Sequence, residues 1–358
     1  MKATEKLRNA GQSLWLDNIT RHLLTSGTLK RYIDTLSVTG LTSNPTIFDH
    51  AISKSAAYDQ DIRALTSTGV AREDLFFRLA IADLQQAADL FKPIHDRTAG
   101  VDGWVSLEVS PLLAYDPQRT VGAASSLHTA AARPNPFIKI PGTKEGAPAI
   151  EEATFRGVPI NVTLLFSREQ YVAAAEAYMR GLERRIASGL SPDVRSVASL
   201  FVSRWDKATM EKLPENLRDR LGIAIAQMTY AAYRDILDSE RWQRLENWGA
   251  RPQRLLFAST GTKDPRAPDT LYVGALAAPN TINTIPEETL LHFADHGEVG
   301  GVLPRDGGPA SETLSAIVKA GVDPGALAAE LQAEGAKSFD ESWSDLLKAI
   351  ETKSRALA

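Results

Sequence analysis

The chain has 358 residues, of which 43% are hydrophobic and 23% are charged, a composition that excludes disordered, collagen-like and disulfide-rich proteins. It has no cysteine, which excludes thiolate nucleophiles, cysteine-ligated metal sites and disulfide bonds. The net charge of −4 arises from 40 basic and 44 acidic residues spread along the chain, so we expect no nucleic-acid partner.

The amino-terminal segment, residues 1–15, carries charges and lacks the apolar stretch of a signal peptide. No apolar run of about 18 residues follows it, as a transmembrane helix would require. We therefore expect a cytoplasmic protein without a membrane partner.

Eight short β-rich runs alternate with helical patterns from one end of the chain to the other. This alternation is typical of parallel strands joined by helices, and eight such units close a (β/α)8 barrel. The alternative fold is an open, doubly wound sheet, which the hydrophobic pattern alone does not reject. The predicted strands are Ser13–Leu16, Val38–Leu41, Gly103–Val109, Phe137–Ile140, Ile160–Leu165, Val194–Val202, Arg254–Ala258 and Thr281–Ile285.

The helical patterns end where glycine can cap a helix, at Gly189 and Gly249. Residues 308–358 read as two or three polar helices, with Pro324 in a first turn and Phe339–Ile350 as a final amphipathic segment. We expect these helices to pack on the barrel exterior. The prediction is one barrel domain, residues 1–358, with extra amino- and carboxyl-terminal helices.

Lys139 stands inside the predicted fourth strand with apolar neighbours on both sides, which indicates a side chain inside the barrel. Burial disfavours an ammonium ion, and a neutral amine can attack a ketone carbonyl to form a Schiff base. A structural ion pair, or an edge position with the ammonium group in solvent, explains the residue equally well.

Two carboxylates come from other predicted strands and point toward the same mouth of the barrel. Asp17 ends the first strand pattern, and Glu108 interrupts the third. With Lys139 they form an acid–base set: one could move protons to and from a carbinolamine, the other could exchange the proton of a substrate hydroxyl. A structural ion pair with Lys139 is the alternative.

Uncharged hydrogen-bonding residues accompany these groups. Asn161 and Thr163 alternate with apolar neighbours in the fifth strand pattern, so both lie on one face. Asn44 follows the second strand pattern and precedes a proline. All three suit sugar hydroxyls, although Asn44 could simply cap the next helix.

A phosphate site is predicted where the sixth and seventh strand patterns end. Ser199 and Arg204 come from the sixth, and Ser259 and Lys263 belong to a Ser-Thr-Gly-Thr-Lys run after the seventh. Hydroxyls, loop amides and a guanidinium group suit a phosphate dianion, although such clusters are also ordinary loops.

The sequence indicates neither a metal nor a nucleotide cofactor. His292 and His296 have the i, i+4 spacing of zinc ligands but no evident third ligand, so we interpret them as surface residues. Glycine-rich phosphate loops and the Gly-x-Ser-x-Gly nucleophile motif do not occur in the sequence.

Five motifs, in order along nearly the whole chain, resemble transaldolase, and the resemblance is closest to the longer bacterial subgroup. The motifs are Ser13–Asn18, Thr42–Phe48, Phe137–Pro141, Asn161–Phe166 and Ala258–Lys263. The resemblance implies a single (β/α)8 barrel that transfers a dihydroxyacetone unit from a ketose phosphate to an aldose phosphate without a cofactor. The implied pathway is the non-oxidative pentose phosphate route.

Carried over by position, the resemblance implies that Lys139 is the Schiff-base lysine and that Glu108 and Asp17 handle protons. It assigns the substrate phosphate to Ser199 and Arg204. The residues it assigns to the intermediate or a catalytic water are Asn44, Asn161 and Thr163.

One departure affects the phosphate site. The shorter members of the family have an arginine two residues after the serine that matches Ser259, whereas Gly261 stands there and Lys263 is the nearest cation. A lysine supplies the charge but lacks the bidentate fork of arginine.

Several alternatives stay open. They are a fructose 6-phosphate aldolase that releases free dihydroxyacetone, a non-catalytic sugar-phosphate-binding barrel and a metal-dependent aldolase. Members of the subgroup can be fused to a phosphoglucose isomerase domain, so fusion or association with such a domain stays open too. A homodimer is a further possibility.

Overall fold

Eight parallel strands follow one another around a closed barrel in the computed structural model, which describes residues 1–357. Strand β8 pairs with β1 and closes the sheet. The predicted (β/α)8 barrel is confirmed, and the alternative of an open sheet is wrong. The strands are β1 (Ser13–Asp17), β2 (Val38–Thr42), β3 (Val105–Glu108), β4 (Pro136–Pro141), β5 (Ile160–Leu165), β6 (Ser196–Phe201), β7 (Gln253–Ala258) and β8 (Ile282–Ile285).

Helices surround the barrel and extend across one of its ends. They are α1 (Ala3–Asn9), α2 (Arg21–Thr25), α3 (Thr28–Thr35), α4 (Pro45–Lys54), α5 (Asp59–Thr66), α6 (Arg72–Arg97), α7 (Pro117–Ala131), α8 (Ala147–Phe155), α9 (Arg168–Ala187), α10 (Ser203–Thr209), α11 (Leu221–Asp238), α12 (Glu240–Asn247), α13 (Leu271–Ala275), α14 (Glu287–His296), α15 (Ala310–Lys319) and α16 (Pro324–Leu357). Short 3-10 turns cover Ala56–Tyr58, Pro111–Leu113 and Glu215–Leu217. Among residues 1–357, no helix is both long enough and apolar enough to cross a membrane.

Three predicted strands are too long: the eighth by one residue, Thr281, and the third and sixth by more, for local reasons. Gly103 has a φ of +83°, which interrupts the extended backbone before β3. Val194 closes a turn onto the Pro192 carbonyl before β6, and Val202 already has the backbone angles that lead into α10. By contrast, β1 continues to Asp17 because Asp17 pairs with Thr42 of β2.

Strand register brings the predicted reactive side chains to one level of the barrel. Glu108 on β3 pairs with Lys139 on β4, and Lys139 pairs in turn with Asn161 on β5. Residues paired across neighbouring strands face the same side of the sheet, so these three side chains share the inner face of the barrel. Their proximity therefore follows from backbone pairing.

The backbone departs from ordinary geometry at two places beside this level. The pairing of β5 with β6 shifts between Val162 and Leu165, and Leu164, in the shift, has a φ of +62°. Ser259, directly after β7, has a φ of +55°. A left-handed conformation costs a residue with a side chain about 1–2 kcal/mol, and such irregularities are common next to active sites.

Aromatic side chains fill the barrel at the amino-terminal ends of the strands. The rings of Trp104 and Phe137 stack with centroids 4.0 Å apart, and Trp15 lies 6.3 Å from Phe137. Gly40 makes room for this cluster, because a Cβ atom there would lie 2.5 Å from the Trp15 indole. The interior of the barrel is therefore filled by side chains at this end.

The carboxyl-terminal segment has two helices, within the predicted two or three. It forms α15 and one continuous helix, α16, and the predicted segment Phe339–Ile350 is part of α16. The Gln332 side chain on α16 donates hydrogen bonds to the carbonyls of Gly142, 3.2 Å away, and Leu164, 2.8 Å away. Both carbonyls lie at the carboxyl ends of strands, so α16 lies over the barrel mouth rather than only on the exterior.

A buried carboxylate fixes helix α10, which begins just before Arg204. Asp206 accepts hydrogen bonds from the Leu221 N–H, 2.9 Å away, and the Tyr272 hydroxyl, also 2.9 Å away. Burial is the main reason that the pKa of Asp206 rises from 3.8 to about 6. Asp206 therefore joins α10 to the start of α11 at the expense of burying a charge at neutral pH.

The raised pKa of Asp206 predicts a specific pH dependence of stability. Stabilisation by the protonated form is fully present below pH 3.8 and is lost as the pH rises through about 6. We compare the free energy of unfolding of the wild type with that of Asp206→Asn at each pH. The difference, wild type minus variant, should fall by on the order of 3 kcal/mol between pH 3.8 and about 6. Urea unfolding at a series of pH values measures it, and parallel pH curves would contradict the assignment.

Candidate active site

Lys139 lies inside the barrel near its mouth. Every residue of β4 is buried, and Lys139 is only 6% exposed. Its Nζ atom lies 3.3 Å from Glu108 Oε2 and donates a hydrogen bond to the Ser43 carbonyl, 3.1 Å away. The strand-borne lysine is thus held at a fixed point by a carboxylate and a backbone carbonyl.

Both predicted carboxylates have raised pKa values. For Glu108, burial is the largest cause of the raised pKa; the Asp17 charge adds to it and the Lys139 cation opposes it. Burial also raises the pKa of Asp17, against the effects of Lys139 and of a hydrogen bond from Thr42. A carboxyl group with a raised pKa gives up and takes back protons more readily near neutral pH.

A short chain of hydroxyl groups supports Asp17. Thr42 donates a hydrogen bond to Asp17 Oδ1 at 2.7 Å, and its oxygen lies 2.7 Å from the Thr284 hydroxyl oxygen. Both threonines are buried. The chain fixes one carboxylate oxygen, and the exposed part of Asp17 faces the cavity at the mouth.

A second polar network joins β3, β5 and β6. Asn161 donates to the Ser106 hydroxyl at 3.2 Å and accepts a hydrogen bond from the Ser199 hydroxyl at 2.7 Å. The fully buried Thr163 hydroxyl has no hydrogen-bond partner within residues 1–357. Glu108 Oε2 accepts no well-aligned hydrogen bond there either, and its one close contact is the ion pair with Lys139. Buried polar atoms of this kind are groups that a bound substrate or water can satisfy.

Asn44 caps a helix and also lines the cavity at the mouth. Its side-chain oxygen accepts a hydrogen bond from the Ile47 N–H at 3.1 Å and caps helix α4. The same residue lines the cavity at the mouth. Because the cap uses Oδ1, the amide nitrogen of Asn44 is available as a donor to a ligand.

Two cations line the same cavity. Within the described part of the chain, Arg204 and Lys263 form no ion pair, although both line the cavity. The pKa of Lys263 is lowered, first by desolvation and then by the positive charges of Arg204 and Lys207. Two unpaired cations in one place favour an anionic ligand.

The Lys263 ammonium group lies next to Gly261, the position where the shorter members of the family have an arginine. A Cβ atom on Gly261 would lie 3.2 Å from Pro286 Cγ and 3.8 Å from Lys263 Nζ. The lysine ammonium group therefore reaches the space beside position 261, where there is little room for another side chain.

These groups surround one cavity of about 350 Å³ at the carboxyl ends of the strands. Glu108 and Asn161 stand behind its wall, in contact with Lys139 and Ser199 respectively. The predicted residues that line the cavity are Asp17, Asn44, Lys139, Thr163, Ser199, Arg204, Ser259 and Lys263.

Sequence reasoning missed several residues of the site. Ser106 lies between Val105 and Leu107 in a predicted strand, so alternation could have identified it. Thr42 and Thr284 each have a polar neighbour on one side, which weakens the same signal. Phe201 and Phe339 also line the cavity, but a phenylalanine in an amphipathic pattern gives no signal that separates a site from a core.

A larger cavity, of about 530 Å³, lies at the amino-terminal ends of the strands. Two of its lining arginines are bound by backbone carbonyls: Arg254 donates to the Val101 carbonyl at 2.9 Å, and Arg195 donates to the Gly100 carbonyl at 2.9 Å. These contacts hold the base of the barrel together, and Lys139 does not reach this end.

The two predicted surface histidines are exposed, with side chains 40% and 49% accessible for His292 and His296. Asp269 lies between them, 3.0 Å from His292 Nδ1 and 3.0 Å from His296 Nε2. The pair is therefore part of a surface ion-pair cluster far from Lys139.

Comparison with known proteins gives consistent results over the full chain. Residues 14–350 match the family model described as transaldolase/fructose-6-phosphate aldolase. A transaldolase of Parafrankia sp. is 44% identical over 98% of this chain and 97% of its own length. A transaldolase of Kocuria rhizophila is 44% identical over 97% of both chains, and transaldolase 2 of Streptomyces coelicolor is 41% identical over 99% of this chain and 98% of its own.

The threonine chain predicts how the pKa of Asp17 responds to mutation. Thr42→Val removes the hydrogen bond that favours the ionised carboxylate, so the pKa of Asp17 should rise further above 3.8. The matched control, Thr284→Val, keeps the bond to Asp17 and should have a smaller effect. Carboxyl NMR titration, assigned with Asp17→Asn, measures the change. A fall of this pKa in Thr42→Val would contradict the role of the bond.

Proposed function

Because the chain belongs to the transaldolase/fructose-6-phosphate aldolase family and is a transaldolase acting on sugar phosphates, we propose that Lys139 is its Schiff-base nucleophile. The observation that carries the proposal is the buried amine 3.3 Å from the Glu108 carboxylate. An enzyme, rather than the non-catalytic barrel left open above, is confirmed. We take the donor to be sedoheptulose 7-phosphate or fructose 6-phosphate, and the acceptor to be glyceraldehyde 3-phosphate or erythrose 4-phosphate.

The first steps join the substrate to the protein. The neutral amine of Lys139 attacks the ketone carbon, and the carbonyl oxygen takes a proton to give a carbinolamine. A second proton on that oxygen lets it leave as water, and a cationic Schiff base remains. Glu108 is our candidate for carrying these protons, and its contact with Nζ and its raised pKa support this role.

The next steps break and form carbon–carbon bonds. The dihydroxyacetone unit consists of the first three carbons of the ketose. Asp17 takes the proton of the hydroxyl on the fourth carbon as the bond between the third and fourth carbons breaks. The bonding electrons enter the Schiff base as an enamine, and an aldose phosphate leaves. The enamine carbon then attacks the acceptor aldehyde, Asp17 returns the proton, and water hydrolyses the new Schiff base. These steps balance with side-chain groups and water, so we propose no metal or organic cofactor.

Hydrogen bonds and charges position the substrate in this scheme. Asn44, Asn161 and Thr163 are proposed to hold hydroxyls of the intermediate or a water, and the unsatisfied Thr163 hydroxyl supports this role. The phosphate group is proposed to bind between Arg204 and Lys263, with the hydroxyls of Ser199 and Ser259. The unpaired state of the two cations supports this orientation.

The nucleophile can be trapped directly. Borohydride added with fructose 6-phosphate should reduce the Schiff base and leave an adduct on Lys139, identified by peptide mass mapping. Lys139→Met should fold, because the raised pKa of Glu108 lets that carboxyl become neutral without its partner, and should lose both adduct and transfer activity. Failure to trap an adduct on the wild type, or an adduct that survives Lys139→Ala, would reject the proposal.

The phosphate assignment predicts a graded loss of affinity. Arg204→Gln should raise KM for fructose 6-phosphate by about 10- to 150-fold, which corresponds to ~1.5–3 kcal/mol for a charged hydrogen bond. Lys263→Gln should raise it less, because a lysine binds phosphate as a point charge.

Lys207 provides the matched control, since it lies on α10 close enough to affect the pKa of Lys263 but does not line the cavity. Lys207→Gln should change KM by less than about threefold. With unphosphorylated fructose, all three variants should resemble the wild type. Equal effects on fructose and fructose 6-phosphate would contradict the assignment.

The remaining expectations stay predictions of their own. We propose that residues 1–358 form one barrel domain and that the enzyme is cytoplasmic. Fusion or association with a phosphoglucose isomerase domain, and a homodimer, also stay predictions.

A further inference from the structure

One aromatic side chain in the cavity comes from outside the barrel. Phe339, on α16, lines the cavity, and the centroid of its ring lies 5.8 Å from Lys139 Nζ. Phe339 is only 7% exposed. The reactive amine therefore has an apolar group on the side that faces the mouth.

Helix α16 is anchored on both sides of Phe339. On one side, Gln332 donates to the carbonyls of Gly142 and Leu164, and Gly335 allows close approach, since a Cβ atom there would lie 3.1 Å from Leu164 Cδ2. On the other side, the Trp343 ring packs edge-on against an aromatic ring of α6 with centroids 5.0 Å apart. The position of Phe339 over the site is therefore fixed by contacts before and after it.

We infer that Phe339 determines the balance between transfer and hydrolysis by keeping water from the enamine held on Lys139. This inference rests on the proposed Schiff-base function. It assigns to α16 the property that separates a transaldolase from an aldolase that releases free dihydroxyacetone.

The two outcomes compete for the same enamine carbon. In transfer, that carbon forms a C–C bond with the aldehyde carbon of the acceptor, whose oxygen takes a proton. In release, the carbon instead takes a proton that comes from water, and a second water adds to the C=N bond. The C–N bond then breaks, giving dihydroxyacetone and the free lysine amine. A ring that excludes water slows the second outcome and leaves the first to the larger aldose phosphate.

The same ring has a second effect that must be separated from shielding. The Schiff base is cationic, and an aromatic face within about 6 Å of a cation stabilises it electrostatically. Leucine keeps the apolar surface and removes this attraction, whereas alanine removes both. The two substitutions therefore distinguish a shield from a charge effect.

The experiment measures two rates with fructose 6-phosphate. One is release of dihydroxyacetone without an acceptor, and the other is transfer to erythrose 4-phosphate. In Phe339→Ala the ratio of release to transfer should rise by at least about tenfold. In Phe339→Leu the ratio should stay within about threefold of the wild type, even if both rates fall together.

Leu346→Ala is the matched control, because Leu346 is fully buried on the same helix and does not line the cavity. It should lower the melting temperature without moving the ratio by more than about twofold. An equal rise in Leu346→Ala, or an unchanged ratio in Phe339→Ala, would overturn the inference. A ratio that rises as much in Phe339→Leu as in Phe339→Ala would also overturn it, since shielding would then not be the cause.

Borohydride trapping separates this failure from a failure of the proposed function. If every variant forms the adduct on Lys139 and the ratios are equal, the Schiff base stands and only the role of Phe339 is wrong. If the wild type forms no adduct, the proposed function itself is wrong.

Discussion

The contact between Lys139 and Glu108 is the constraint on which the rest of the site depends. Two opposite charges buried side by side, 5–7% exposed, are tolerable only together. Transfer of one proton between them leaves an amine and a carboxylic acid, both neutral, and this is the pair that carbonyl addition needs. The contact follows from the register of β3 and β4, so the closed sheet itself sets the chemistry.

Charge is arranged differently at the two ends of the cavity. The cation at the base is compensated by Glu108, whereas Arg204 and Lys263 at the rim have no carboxylate partner within residues 1–357. In the proposed scheme this asymmetry orients the substrate, because the two cations attract its phosphate group and leave its carbonyl end for Lys139.

The barrel and most residues of the candidate site could be predicted from the sequence, because the patterns that indicate them are local. Lys139, Glu108 and Asn161 are polar residues within apolar strand patterns, and alternation alone orients them inward. The hydrogen bond from Ser199 to Asn161 runs diagonally between strands, since Asn161 pairs with Val197. The reach of Lys263 toward Gly261 depends on the path of a loop. The extension of α16 over the mouth could not be predicted, because an amphipathic pattern shows that one face is buried but not which surface buries it.

The cover of the site belongs to a segment that follows the eight strand–helix units rather than to any of them. Substitutions in α16 can therefore change how the mouth is covered while the strand-borne amine and carboxylates stay untouched. Two properties that most enzymes must alter together, reactivity and solvent access, are here encoded in separate stretches of the chain. Substitutions in α16 can thus change which acceptors enter the site without altering the proposed nucleophile.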